Sequence, residues 1–308
     1  MLSTAANKNL PVQEYVYSIS EALANLRLGI QNADKDQDER WWLKTGLADF
    51  DEAFQGLRLG ALTVLASRPS MGRSALALNI ATNVGIYQKI PALYVSLDMP
   101  IWQLSMRIAA LLGNIEVSAL QEGQLTLDRD QSLGTVISKA QNAPLHLMHY
   151  PYIDIDSLCK EVREFTKSLQ EGHDQSTLAL IPPLSLLVID DLGFANLQME
   201  DGERNAAYEN AMCLLKDLAV ELGIAVLLLS PVNSSAEERE NKRPMVTDLP
   251  SMALARMPDA LLFLYREEVY RPDGENGNCA ELIMARNQHD LTGTVYLTTD
   301  LQYGRFGC

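Results

Sequence analysis

The chain has 308 residues, an apolar content of 47% and a formal net charge of −15 at pH 7. That apolar share supports a sizeable core in one large domain or two smaller ones. The acidic balance excludes a generally basic nucleic-acid coat and leaves room only for a local basic patch or pore. No apolar run is long enough to cross a bilayer, and MLSTAANKNLPVQEY lacks the basic-then-apolar composition of a leader. Cys159, Cys213, Cys279 and Cys308 are too far apart for metal-ligand spacing, so reduced thiols and a cytoplasmic location are expected, with no membrane partner.

Taken in chain order, residues 11–30 come first. Val12, Val16, Ile19, Leu23, Leu26 and Ile30 alternate spacings of four and three, which places a narrow apolar stripe on one helical face. QNADKDQDER, residues 31–40, is charged and aperiodic and reads as a solvated linker. The stripe either folds back on its own domain or docks on a neighbouring subunit. Residues 1–40 are therefore expected to be a docking helix and linker, and 41–308 the main domain. Trp41 and Trp42 stand at this boundary, where they anchor the linker or stack on bases.

From residue 41 onward, apolar runs at 61–66, 91–97, 143–149, 184–189 and 224–230 read as buried strands. Helical stretches are expected near 74–88, 100–112, 129–142, 154–170 and 204–222. This alternation predicts an α/β domain with a parallel sheet covered on both faces. After residue 259, ALLFLYREE, CAELIMAR and GTVYLTTD are closely spaced and read as antiparallel strands completing the sheet. His146 and His149 lie three apart on a predicted strand, so they point to opposite faces and do not form a metal pair.

SRPSMGRS, residues 67–74, lies between a predicted strand and a predicted helix. That is the setting of a phosphate loop, whose backbone N–H groups cradle an anion ahead of a helix N-terminus. Ser70, Met71, Gly72, Arg73 and Ser74 are the candidate phosphate-binding residues. Gly72 supplies backbone freedom and Ser74 a hydroxyl for magnesium. The usual form is G-x-x-x-x-G-K-[ST], so Ser67 replaces the first glycine and Arg73 the lysine. LLVIDD delivers Asp190 to the end of a buried strand, as a second magnesium ligand. YVSLDMP places Asp98 at the end of a strand expected beside that of the phosphate loop. There it acts as base toward water or as a cap for the helix starting at Pro100.

With these motifs in view, TGLADFDEAFQGLRLGALTVLASRPSMGRSALALNIA resembles the opening of the RecA-like motor domain of DnaB-type replicative helicases, which typically reads TGxxxLDxxxxGLxxGxLxxLAARPSMGKT. The likeness continues through YVSLDM, LLVID, ENKRPMVTDL, FLYREEVY and AELIMARNQHDLTGTV to Arg305-Phe306, covering residues 41–306. It implies a RecA-like P-loop NTPase fold, ATP and Mg²⁺ as ligands, and a hexameric ring in which a helix like that at 11–30 docks on the next subunit. No stretch matches the family's separate N-terminal domain.

Carried over residue by residue, the resemblance also exposes departures. The phosphate-binding lysine position holds Arg73, whose planar fork is larger than an ammonium. The catalytic glutamate position holds Asp98, shorter by about 1.5 Å, and misplacement by ~1 Å can cost on the order of a hundredfold. A glutamine position aligns with Pro231. The trans-acting arginine finger position holds Gln288, and a lysine two places earlier is Arg286. Asp191 stands where the family often has tyrosine. Arg239, Lys242, Arg243 and Arg256 are candidate nucleic-acid contacts, or solvated loop charges among Glu237, Glu238 and Glu240.

Three functions compete on this basis. The first is a diverged family member that binds ATP and magnesium, assembles with itself or a related helicase, and hydrolyses slowly or not at all. The second is a working ATP-dependent helicase moving on single-stranded DNA. The third is a non-motor adaptor that recruits replication proteins.

Overall fold

The computed structural model describes residues 41–123, 125–171, 183–197, 204–271, 277–288 and 291–307. The expected helix at 11–30 and linker at 31–40 lie outside the described residues.

The described chain opens with β1 (Trp42–Leu43), α1 (Ala48–Phe54) and β2 (Leu57–Arg58), none of which the hydrophobic periodicity had marked. β1 and β2 pair antiparallel, with Trp42 opposite Arg58, while Trp41 is largely exposed. The entry to α1 is fixed by Asp51, whose carboxylate accepts the Thr45 amide at 2.9 Å, the Thr45 hydroxyl at 2.8 Å and the Gly46 amide at 2.9 Å. α1 then buries Phe50 and Phe54.

β3 (Leu62–Ser67) leads into α2 (Arg73–Thr82), which continues as a π-helical turn over Asn83–Tyr87. The single helix expected at 74–88 is therefore two segments. Gly85 lies in the π turn against β5, where a Cβ would stand 2.6 Å from that of Leu145. β4 (Ala92–Ser96), α3 (Ile101–Gly113), α4 (Val117–Glu122), α5 (Leu127–Ala140), β5 (Leu145–His149) and α6 (Ile155–Glu171) follow. Then come β6 (Leu186–Asp190), α7 (Arg204–Leu222), β7 (Ala225–Pro231), α8 (Ala253–Arg256), β8 (Ala260–Tyr265), β9 (Cys279–Asn287), β10 (Gly293–Asp300) and β11 (Arg305–Gly307).

Among the described residues these strands form a nine-stranded sheet in the order β11-β10-β9-β8-β3-β7-β6-β4-β5. The pairs from β8 through β5 are parallel; β8 with β9, β9 with β10 and β10 with β11 are antiparallel. Two expectations are corrected. The run at 260–265 is parallel to β3 and turns antiparallel only toward β9. And β4 does not lie beside β3: β7 and β6 stand between them. Chain order does not set sheet order here: β3, the first of these strands in the chain, is the middle one of the nine, between β8 and β7.

The central strands send alternate residues into two cores. Leu65, Tyr94, Val188, Leu227 and Leu262 face the layer containing α1, α2 and α3. Val64, Val95, Ile189, Leu228 and Phe263 face α6, α7 and α8. Both layers are buried, and burial pushes the Cys159 thiol on α6 up to about 12, which disfavours the reactive thiolate. His146 lies on β5 against Phe165 of α6, ring centroids 5.0 Å apart, and burial lowers its pKa. His149 Nδ1 is 3.2 Å from the Ser96 carbonyl, so the two imidazoles serve separate partners. Among the described residues no helix is long and apolar enough to cross a membrane, and no cluster of three or more His, Cys, Asp or Glu is arranged to hold a metal.

Candidate phosphate-binding site

Parallel strands bring their C-terminal ends to one edge of the sheet, and this edge gathers the chemistry. Ser67 at the end of β3 stands opposite Pro231 of β7, and Ser96 at the end of β4 stands opposite Asp190 of β6. The loop from Ser67 to Arg73 closes over this edge. Ser70 has φ 67° and Gly72 has φ 89°, both left-handed, as in a backbone nest that concentrates N–H groups on an anion. Gly72 caps α2, so the loop ends on a helix N-terminus. A side chain at Gly72 would also meet Phe306 of β11, since its Cβ would stand 2.8 Å from Cζ. β11 is held there by Asn79 of α2, which accepts the Phe306 amide at 3.1 Å and donates to the Gly304 carbonyl at 2.7 Å.

Asp190 is buried and accepts a hydrogen bond of 2.6 Å from the Tyr94 hydroxyl and one from Ser74. Burial is the main reason its carboxyl is raised above the ordinary range, with the neighbouring Asp191 adding to it. A buried carboxylate beside a Ser hydroxyl is a hard-oxygen donor pair of the kind magnesium takes. Ser74 and Asp190 therefore fit a magnesium ion.

Arg73 is engaged by the protein itself. Nη1 donates to the Ser67 carbonyl at 3.0 Å and to the Ser230 carbonyl at 2.5 Å, and Nη2 is ion-paired with Asp191. The guanidinium thus lies across the ends of β3 and β7 and reaches the residue after β6. The local cause is chemical: carbonyls left at strand ends and a carboxylate suit a planar fork. Asp191 accepts the Gly193 amide at 2.7 Å with its other oxygen. Its carboxyl is raised by burial, an effect that Arg73 opposes and Asp98 reinforces.

Asp98 is exposed, two residues beyond β4, and the residue that caps α3 is Pro100. The capping alternative is therefore corrected: the bend after β4 is fixed by Ser96, whose hydroxyl takes the Met99 amide at 2.8 Å, and Pro100 precedes the first helical residue, Ile101. Gln288 and Arg286 are not part of this edge. β9 runs antiparallel to β8, so Asn287 stands opposite Ala260 at the start of β8, at the far end of the sheet. Gln288 bridges Arg58 and Asp259, and Asp259 also holds Lys216 at 2.9 Å and the Leu62 amide at 2.8 Å. Arg286 donates to the carbonyls of Ala255 at 2.8 Å and Arg256 at 2.6 Å.

The candidate nucleic-acid cations are mostly engaged within the chain. Arg239 forms a two-pronged pair with Asp248, both contacts 2.6 Å. Arg243 pairs with Glu281 and lies 4.9 Å from the Tyr265 ring centre. Lys242 donates to the Glu237 carbonyl at 2.5 Å, while Arg256 is exposed. The sequence reading missed Tyr94, Asn79 and Arg68, the last of which joins Glu237 at 2.8 Å and the Val232 carbonyl at 3.1 Å. Tyr94 lies inside an apolar run and carried no signal of its own. Arg68, inside the phosphate-loop motif, was the one within reach of inspection.

A glycine-tipped loop between β3 and α2, a carboxylate ending β6, and a parallel sheet completed by antiparallel strands define a RecA-like P-loop NTPase fold. Solved structures agree. One, an isolated ATPase domain, superposes with a TM-score of 0.81 at 24% identity, covering 95% of this chain and 99% of that one. A DnaB-like replicative helicase, described with its interactions with primase, gives 0.80 at 24% identity over 95% of this chain and 67% of the other. The model of the DnaB-like helicase C terminal domain family matches residues 43–307, and the chain belongs to that family. It is 30% identical over 312 residues to replicative DNA helicase DnaB of Geobacillus stearothermophilus, which covers 99% of this chain. It is 32% identical over 271 residues to DnaB of Buchnera aphidicola subsp. Schizaphis graminum, which covers 86% of it. The chain spans 66% of the length of the first relative and 55% of the second.

Proposed function

We propose that this chain is a replication protein of the DnaB-like family that binds magnesium nucleoside triphosphate and assembles, with itself or with a related helicase, while hydrolysing ATP slowly or not at all. Ser74 and Asp190 would hold the magnesium ion, and the backbone of Ser70 to Ser74 the phosphates. Bound magnesium would neutralise the outer phosphate charge. The family's arrangement needs a free cation at position 73 to reach those phosphates.

The observation that carries this reading is the commitment of Arg73 to Asp191 and to the Ser67 and Ser230 carbonyls. Phosphoryl transfer depends on charge placed against the outer phosphates. A guanidinium held by a carboxylate and two carbonyls supplies less of it than a free lysine would. The exposed, shortened carboxylate of Asp98 and the neutral Gln288, itself held by Arg58 and Asp259, support the same conclusion. Several deficits in one unit do not add simply, but each acts on the same barrier.

The test is turnover, measured with and without single-stranded DNA, in the wild type and in a variant carrying Arg73→Lys, Asp98→Glu and Gln288→Arg. The expected outcome is wild-type hydrolysis near background and a gain of at least about tenfold in the variant, a small part of what a finger arginine can supply. Brisk wild-type turnover that DNA stimulates would reject the reading in favour of a working motor. Indifference to nucleotide, together with co-purification of a protein partner, would favour an adaptor.

A further inference from the structure

Arg73 and Asp191 form a pair that is nearly shut off from water, with side chains only 12% and 8% exposed. Charges so placed interact strongly, and Arg73 belongs to the phosphate loop itself, as the first residue of α2 after Gly72. Asp191 cannot follow Arg73 outward, because its second oxygen is tied to the Gly193 amide at 2.7 Å. The guanidinium is also one bond short: its buried Nε has no hydrogen-bond partner among the described residues. The internal carboxylate and carbonyls therefore satisfy Arg73 incompletely, and a multivalent anion offers what they leave out.

We infer that Asp191 is a built-in competitor for the phosphate site, a carboxylate that occupies Arg73 until a nucleoside di- or triphosphate displaces it. This rests on the proposed reading of the loop as a nucleotide site and adds the residue that sets its affinity. Two consequences follow from geometry. Removing the Asp191 charge frees Arg73 and removes a like charge from beside the phosphates, so polyphosphate binding tightens. A monophosphate, too short to reach Arg73, gains nothing. Asp191 acts here through Arg73 and is a positioning residue.

The experiment titrates the full chain, with magnesium, against a non-hydrolysable ATP analogue, ADP and AMP. Asp191→Asn is compared with Asp191→Ser, whose hydroxyl keeps an acceptor for the Gly193 amide and so protects the turn. The expected result is analogue and ADP binding tighter by on the order of tenfold, with AMP binding changed less than about twofold. In Arg73→Gln/Asp191→Ser the gain disappears. Unchanged or weaker analogue binding in a folded Asp191 variant overturns the inference. So does AMP tightening in parallel, which marks a merely loosened site. Wild-type turnover is measured alongside. A quiet wild type with unaltered affinity in the variants sinks this inference alone, whereas brisk turnover with the predicted gain sinks only the attenuated reading.

Discussion

Asp248 is buried, yet it accepts both arms of Arg239 at 2.6 Å, the Met245 amide at 2.8 Å and the Ser235 hydroxyl at 3.0 Å. These bonds, the Arg239 fork first, hold its carboxyl below the ordinary range. A carboxyl whose folded pKa is depressed contributes stability above its unfolded pKa, near 4, and that stability is lost as pH falls through the lower folded value. Asp248→Asn should thus cost about 1–3 kcal/mol at pH 7, and the difference from wild type should shrink below about pH 4; urea melts at both pH values check it. Gly72→Ala meets the Phe306 ring and a left-handed backbone, so it should cost at least about 1 kcal/mol and loosen β11, read by hydrogen exchange at Phe306. Much of the site was legible at this scale because it is local: Gly72 and Ser74 stand in a loop pattern, and Asp190 ends an apolar run. Where Arg73 points was not legible. Two of its three partners, Ser230 and Asp191, lie far along the chain, and a long side chain's direction is set by such neighbours rather than by its motif alone.

At the scale of elements, the apolar runs identified the central strands to within a residue or two, since double-sided burial leaves little room for polar residues. Their order was not legible, because one buried apolar strand resembles another and packing decides which takes the middle. Short elements escaped for a different reason. α1, α4 and α8 are too brief to display a helical period, and each is defined by tertiary contacts. The two-sided sheet makes a direct prediction. Leu228 on β7 is fully buried in the layer under α6 and α7, so Leu228→Ala should cost about 2–5 kcal/mol. Leu127→Ala, at a 73% exposed position on α5, should stay within about 0.5 kcal/mol. Denaturant midpoints with unchanged slopes would support both.

For the whole molecule, the net charge of −15 and the internal pairing of Arg239 and Arg243 oppose strong phosphate-backbone binding. Any affinity for single-stranded DNA should be weak at physiological salt, with a log–log salt slope no steeper than about −2; fluorescence anisotropy across a salt series measures it, and a steep slope would restore these cations as DNA contacts. The sheet has another consequence, one for synthesis. β3, which carries the phosphate loop, finds both hydrogen-bonding neighbours late in the chain, Leu62 beside Val226 and Thr63 beside Ala260. While it is translated, this greasy ribbon leaves the ribosome with nothing to zip against, and non-local pairings of this kind form slowly. A product stopped after β6 would keep that ribbon bare and clump. The strand carrying the loop can be flanked on both sides only once Phe263 has emerged.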